Sequence, residues 1–133
     1  MIAARLSKEY VQLAFPEFLG MIEAAVELDP ARDSAYVLEQ IAADKFSPWI
    51  VLDDDGSAVA AGVTKIDLIG TEKHLTIMYC GGGGVPWRDM IAEVEEHARE
   101  EGCASVRIEG RPGWARMLRE NGYINKPFLE KRL

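Results

Sequence analysis

The stretch from His74 to Glu109 constrains the fold more than any other part of the chain. It reads as a strand (His74 to Cys80), four consecutive glycines (Gly81 to Gly84), an amphipathic helix, and a second strand (Cys103 to Glu109). Three features mark the helix: Pro86 suits its first turn, Trp87, Met90, Ile91, Val94 and Ala98 form one apolar stripe, and Gly102 ends it. A strand–helix–strand unit with such short joints is a right-handed crossover, which sets its two strands parallel.

The elements before this unit read as antiparallel. Residues 2–6 suit a short strand. Phe15, Phe18, Leu19, Ile22 and Val26 recur at helical spacing, with Pro16 near the start. A second helix follows Asp33, a fair N-cap, and would bury Tyr36, Val37, Ile41 and Phe46. Trp49 to Leu52 reads as a strand, Asp53-Asp54-Asp55-Gly56 as a hairpin turn, and Ala58 to Ile69 as a long strand with Gly62 as a candidate bulge. Gly70 to Lys73 turns the chain again, and Leu75, Ile77 and Tyr79 fall on one face of the next strand. Glu93, Glu95, Glu96 and Glu100 cover the outer face of the long helix. Pro112 opens a short helix carrying Trp114, Met117 and Leu118, which Asn121-Gly122 stops. Tyr123 to Leu133 reads as a last strand interrupted at Pro127.

The expected order is (β)-α-α-β-β-β-α-β-α-β. This is a mixed α/β (α+β) fold: one mostly antiparallel sheet with a central parallel pair, flanked by helices. A length of 133 residues suits one domain, residues 1–133, with a core of its own. The net charge of −7 disfavours a nucleic-acid binder, which needs a cationic face, although Arg107, Arg111, Arg116 and Arg119 lie close together in sequence. Cys80 and Cys103 read as small buried apolar residues in a reducing compartment, and no Cys/His spacing suggests a metal. With neither a membrane-length apolar run nor a signal-peptide layout, the expectation is a soluble, cytoplasmic chain away from membranes.

The glycine run admits two readings. Glycines let a backbone approach a ligand closely, and N–H groups at a helix start make an anion site. The same residues also serve a sharp turn or a bulge. The span Gly81 to Tyr123, "GGGGVPWRDMIAEVEEHAREEGCASVRIEGRPGWARMLRENGY", resembles the core of the GCN5-related N-acetyltransferase superfamily. The matching pieces are Met90-Ile91, Val94 to Cys103, Val106 to Glu109, and Glu120-Asn121-Gly122-Tyr123. The ending Gly102-Cys103, Val106, Ile108, Gly110-Arg111, Gly113-Trp114, Arg116 and Leu118 is most similar to small acetyltransferase-like proteins of phages and prophages. In the first half of the chain only the order of elements agrees.

The resemblance implies that acetyl-CoA lies where two strands splay apart. It also implies that the loop after the central strand holds the pyrophosphate with backbone N–H groups. Carried onto this chain, the binding residues are Tyr79, Cys80, Gly81, Gly82, Gly83, Gly84 and Trp87, with no metal. The departures are specific. The family loop begins with Gln or Arg where Tyr79 stands, and Pro86 removes one N–H donor. Leu118 occupies the position of a Tyr that many members use to protonate the CoA thiolate. For the base, the candidates are Glu109 and His74, with Glu72 beside them, and backbone N–H groups near Met78 to Cys80 could hold an oxyanion. Each has a structural alternative: His74 and Tyr79 as packed strand residues, Glu109 as a cap or a partner of Arg111, His97 as a solvated helix residue. Three functions stay open: an N-acetyltransferase with an unknown amine acceptor, a catalytically degenerate phage or prophage accessory protein, and an interaction module, for example a homodimer through a sheet edge or with a protein partner.

Overall fold

A computed structural model describes residues 2–13, 18, 20–22, 34–82, 87–108, 119, 122–125 and 129–133. Strand β1 (Ile2–Arg5) leads into helix α1 (Lys8–Leu13). Ser7 caps α1: its Oγ accepts from the Tyr10 N–H at 3.2 Å. Phe18 and residues 20–22 are helical too. Helix α2 (Ser34–Ala42) ends in a left-handed Asp44, φ 60°, whose carboxylate pairs with Lys8 at 2.9 Å. Next come β2 (Phe46–Leu52), β3 (Ala58–Ile69) and β4 (Glu72–Gly82). Helix α3 (Trp87–Glu100) crosses to β5 (Cys103–Ile108), followed by β6 (Ile124–Asn125) and β7 (Leu129–Arg132).

The described strands form one seven-stranded sheet, β1-β2-β3-β4-β5-β7-β6. Every pairing is antiparallel except β4 with β5, the pair the crossover dictates. Asp53 builds the β2–β3 turn. Its Oδ1 accepts from the N–H groups of Asp55 and Ser57, and Gly56 adopts φ 79°.

Each face of the sheet carries its own core. On one, Met90, Ile91, Val94 and Ala98 of α3 pack on Trp49, Val51, Leu75, Ile77, Val106 and Ile108. Burying each large aliphatic side chain contributes about 2 kcal/mol. On the other, Val11, Phe18, Ile22, Val37 and Ile41 cover Phe46, Ala61, Val63, Met78 and Tyr79.

Several expectations need correction. Helix α1 begins at Lys8, before the apolar repeat that starts at Phe15. Phe46 belongs to β2, so that strand starts three residues before Trp49, and Tyr36 is half-exposed with its ring edge-on to Phe46. Gly62 is no bulge: it pairs in register with Cys80, and its lack of a side chain makes room for Met90 of α3. The bulge lies on β4. Val63 pairs with Tyr79 and Thr64 with Ile77, so Met78 is the extra residue. One extra residue reverses the alternation beyond it. Tyr79 therefore packs on the face opposite Leu75 and Ile77.

Further corrections concern the second half. Glu95 is buried rather than outward and holds Lys131 of β7 at 2.6 Å, because β7 runs close under α3. His97 sits edge-on to Trp49 with ring centroids 5.6 Å apart. The tail is two short antiparallel strands, β6 and β7, rather than one interrupted strand. The short helix expected after Pro112 lies outside the described residues, but Gly122 has φ 91° and bonds back to the Arg119 carbonyl, as a helix-terminating glycine does.

Candidate functional site

The parallel ladder between β4 and β5 is paired from Lys73–Cys103 to Ile77–Ile108. Strand β4 runs on to Gly82 along β3. The five residues Met78 to Gly82 thus extend past the end of the described ladder, and the bulge sits at their start. This edge lies at the C-terminal ends of the parallel strands, where open α/β sheets hold ligands.

The expected binding residues cluster there, with different local roles. Tyr79 is buried among the residues packed under α1 and α2. Cys80 points to the opposite face, against the α3 core, and burial pushes its thiol well above the usual range. A neutral, half-buried thiol is a poor nucleophile, so Cys80 contributes backbone and packing. Gly81 and Gly82 are strand residues, paired with Ala61 and Ala60. Any Cβ on Gly81 would collide with the backbone carbonyl of Met21, so Gly81 is needed for a helix to cross the strand. Gly83 and Gly84 lie outside the described residues. Trp87 is the first residue of α3, which places a helix N-terminus just beyond the glycines.

His74 lies elsewhere. It stands five residues before Tyr79 on β4, roughly 15 Å away along the strand. Its ring is buried. Nδ1 lies 2.6 Å from Ser105 Oγ, and Nε2 lies 3.4 Å from the Glu72 carboxylate. Ser105 Oγ also donates to Glu130 at 3.3 Å, and Arg107 Nε donates to the same oxygen at 2.7 Å. Glu72 takes a two-pronged bond from Arg132, whose guanidinium holds that carboxyl below its usual range. His74 thus belongs to a polar band across β4, β5 and β7. Sequence reading missed Ser105 and Glu130 in this band. The available signal was the alternation of β5, where polar Ser105 and Arg107 interleave with Val106 and Ile108. Glu109, the other candidate base, lies outside the described residues, as do Arg111, Trp114 and Leu118. Among the described residues no group of three or more His, Cys, Asp or Glu is placed to hold a metal, and no helix is long and apolar enough to cross a membrane.

No protein-family model and no curated protein sequence matches the chain. Solved structures do. The chain is similar to a protein described as a probable acetyltransferase, with a TM-score of 0.72 at 10% identity over 95% of this chain and 91% of that one. It is similar to a protein described as a putative acyl-CoA N-acyltransferase from Klebsiella pneumoniae, with a TM-score of 0.69 at 17% identity over 99% and 97%. It is also similar to an aminoglycoside acetyltransferase from an uncultured soil metagenomic sample, solved in complex with sisomicin, with a TM-score of 0.67 at 14% identity over 90% and 85%. With its one parallel pair in an otherwise antiparallel sheet, the chain has the fold of these acetyltransferases.

Proposed function

We propose that the chain is a GCN5-related N-acyltransferase that transfers an acetyl group from acetyl-CoA to an amine. The observation that carries this reading is the one parallel pair, β4 with β5, in an otherwise antiparallel sheet, with α3 starting just beyond the end of β4, an architecture shared with the solved acetyltransferases. The start of α3, just beyond the end of β4, suits a pyrophosphate. The amine nitrogen attacks the thioester carbonyl carbon, the carbon–sulfur bond breaks, and the thiolate leaves. The nitrogen gives up one proton and the thiolate takes one. Glu109, next in sequence after the last residue of β5, is the proposed base. His74 is the weaker one, being held by Ser105 and Glu72.

A second reading is a catalytically degenerate phage or prophage accessory protein of the same fold. Leu118 favours it, since leucine cannot protonate a thiolate, and so does the phage-like ending Gly102 to Leu118. Calorimetric titration with acetyl-CoA and with free CoA separates the two. The acyltransferase reading expects saturable binding to the wild type that disappears in a Gly82→Val, Gly84→Val variant. No heat from the correctly folded wild type overturns it in favour of the accessory protein.

A further inference from the structure

A cavity of about 540 Å³ opens on the face of the sheet covered by α1, Phe18 and residues 20–22. Its floor is formed by Ile50 and Leu52 of β2, its walls by Tyr10, Phe18 and Met21, and its rim by Gly56 and Ser57 of the β2–β3 turn. None of its described lining residues carries a charge.

Two relations tie this cavity to the edge of β4. Ile50 pairs with Ala61, and Ala61 pairs with Gly81, so the three lie in one cross-strand row. Two strand spacings put Ile50 roughly 10 Å from Gly81. Met21 lines the cavity and seats its backbone carbonyl against Gly81. The cavity therefore flanks the β4 edge on one face of the sheet.

Charge lies beside the rim rather than on it. Asp54 and Asp55 are exposed in the turn that supplies Gly56 and Ser57, and the whole chain carries −7. Carboxylates in the turn beside the mouth favour the approach of a cation, and the apolar lining accepts an apolar body. The interior has a chemical consequence as well. Desolvation disfavours an ammonium and favours the neutral amine, the form that attacks a thioester. A polycation with hydroxyls along its whole length would leave its polar groups unpaired against these walls.

Resting on the acyltransferase reading, we infer that this cavity is the acceptor site and that the acceptor is a small primary amine carrying an apolar body. Its nitrogen points toward the β4 edge and its aryl or alkyl group packs against Leu52, Tyr10 and Phe18.

The test is calorimetric titration of the full chain with phenethylamine, with a peptide bearing an N-terminal phenylalanine, and with spermidine. Acetyl-CoA is titrated in parallel. Two variants are compared, Leu52→Arg, which puts a cation on the floor, and Tyr10→Ala, at an exposed wall position that leaves the core untouched. Phenethylamine is expected to bind saturably and spermidine not to bind. Tyr10→Ala is expected to weaken phenethylamine about ten-fold through lost apolar contact, and Leu52→Arg to remove its binding. If Leu52→Arg does not fold, Tyr10→Ala decides alone. Peptide binding as tight as that of phenethylamine would replace the small amine by a polypeptide N-terminus and overturn that part of the inference. Absent phenethylamine binding, or binding that both folded variants leave unchanged, overturns the site while acetyl-CoA binding keeps the acyltransferase reading intact. Phenethylamine binding without acetyl-CoA binding overturns the acceptor role and the acyltransferase reading together, and leaves an amine-binding cavity.

Discussion

The backbone carbonyl of Met21 seats against Gly81 at the place where any other residue would carry its Cβ. The contact locks the helix at residues 20–22 onto the end of β4, between the cavity and the strand edge. Backbone cannot swing aside as a flexible side chain can. Gly81→Ala is therefore expected to cost about 3 kcal/mol, whereas Gly70→Ala, in an open turn with φ 65°, should cost about 1 kcal/mol from backbone strain alone. Urea denaturation of both variants checks the difference. Equal costs would mean that the helix does not cross at Gly81.

Arg107 and Glu130 pair at 2.7 Å across β5 and β7, with the carboxylate buried. Removing one member strands the other charge. Arg107→Leu is expected to destabilise the fold by about 2 kcal/mol, and the double variant with Glu130→Leu to recover most of that loss. A double-mutant cycle in denaturant measures the coupling. A double variant worse than the sum of the singles would contradict the pairing.

His97 packs against Trp49, and burial, with Arg5 nearby, lowers the affinity of its ring for a proton in the folded state. The unfolded chain titrates near the ordinary 6.5. Between the lowered folded value and 6.5 the unfolded state binds more protons, so stability falls as pH drops through that window. Thermal melts from pH 7.5 to 5 should show the wild type losing stability relative to His97→Gln. Parallel curves would exclude His97 as the cause.

Burial raises the thiols of both Cys80 and Cys103. Neither should form appreciable thiolate near neutral pH. Iodoacetamide at pH 7.5 is expected to modify the native protein far more slowly than the urea-unfolded chain, as read by intact mass. Fast labelling of Cys80 in the native state would place its sulfur in solvent.

Local chemistry made much of the fold legible. The long strand Ala58–Ile69 was bounded by an Asp-rich turn before it and Gly70 after it. The apolar stripe of α3 and its Gly102 stop defined the crossover, and with it the one parallel pair. These features need only neighbours within a turn or a pleat. The edges of the glycine run were harder to read. Glycine has no side-chain preference that would mark Gly81 and Gly82 as strand, and only the ladder with Ala60 and Ala61 makes them so.

By itself, then, the sequence determined the element order from β2 to β5, the β2–β3 turn and the parallel crossover, because periodicity and turn chemistry act over a few residues. Tertiary structure alone decided which way Tyr79 faces, since the bulge at Met78 arises from pairing with β3. It also decided that Glu95 turns inward to Lys131 and that His74 is held by Ser105 and Glu72. The seating of Met21 on Gly81 was decided there too. Glu95 and Lys131, His74 and Ser105, and Met21 and Gly81 lie far apart in the chain and meet only when the sheet is assembled and its two faces are covered.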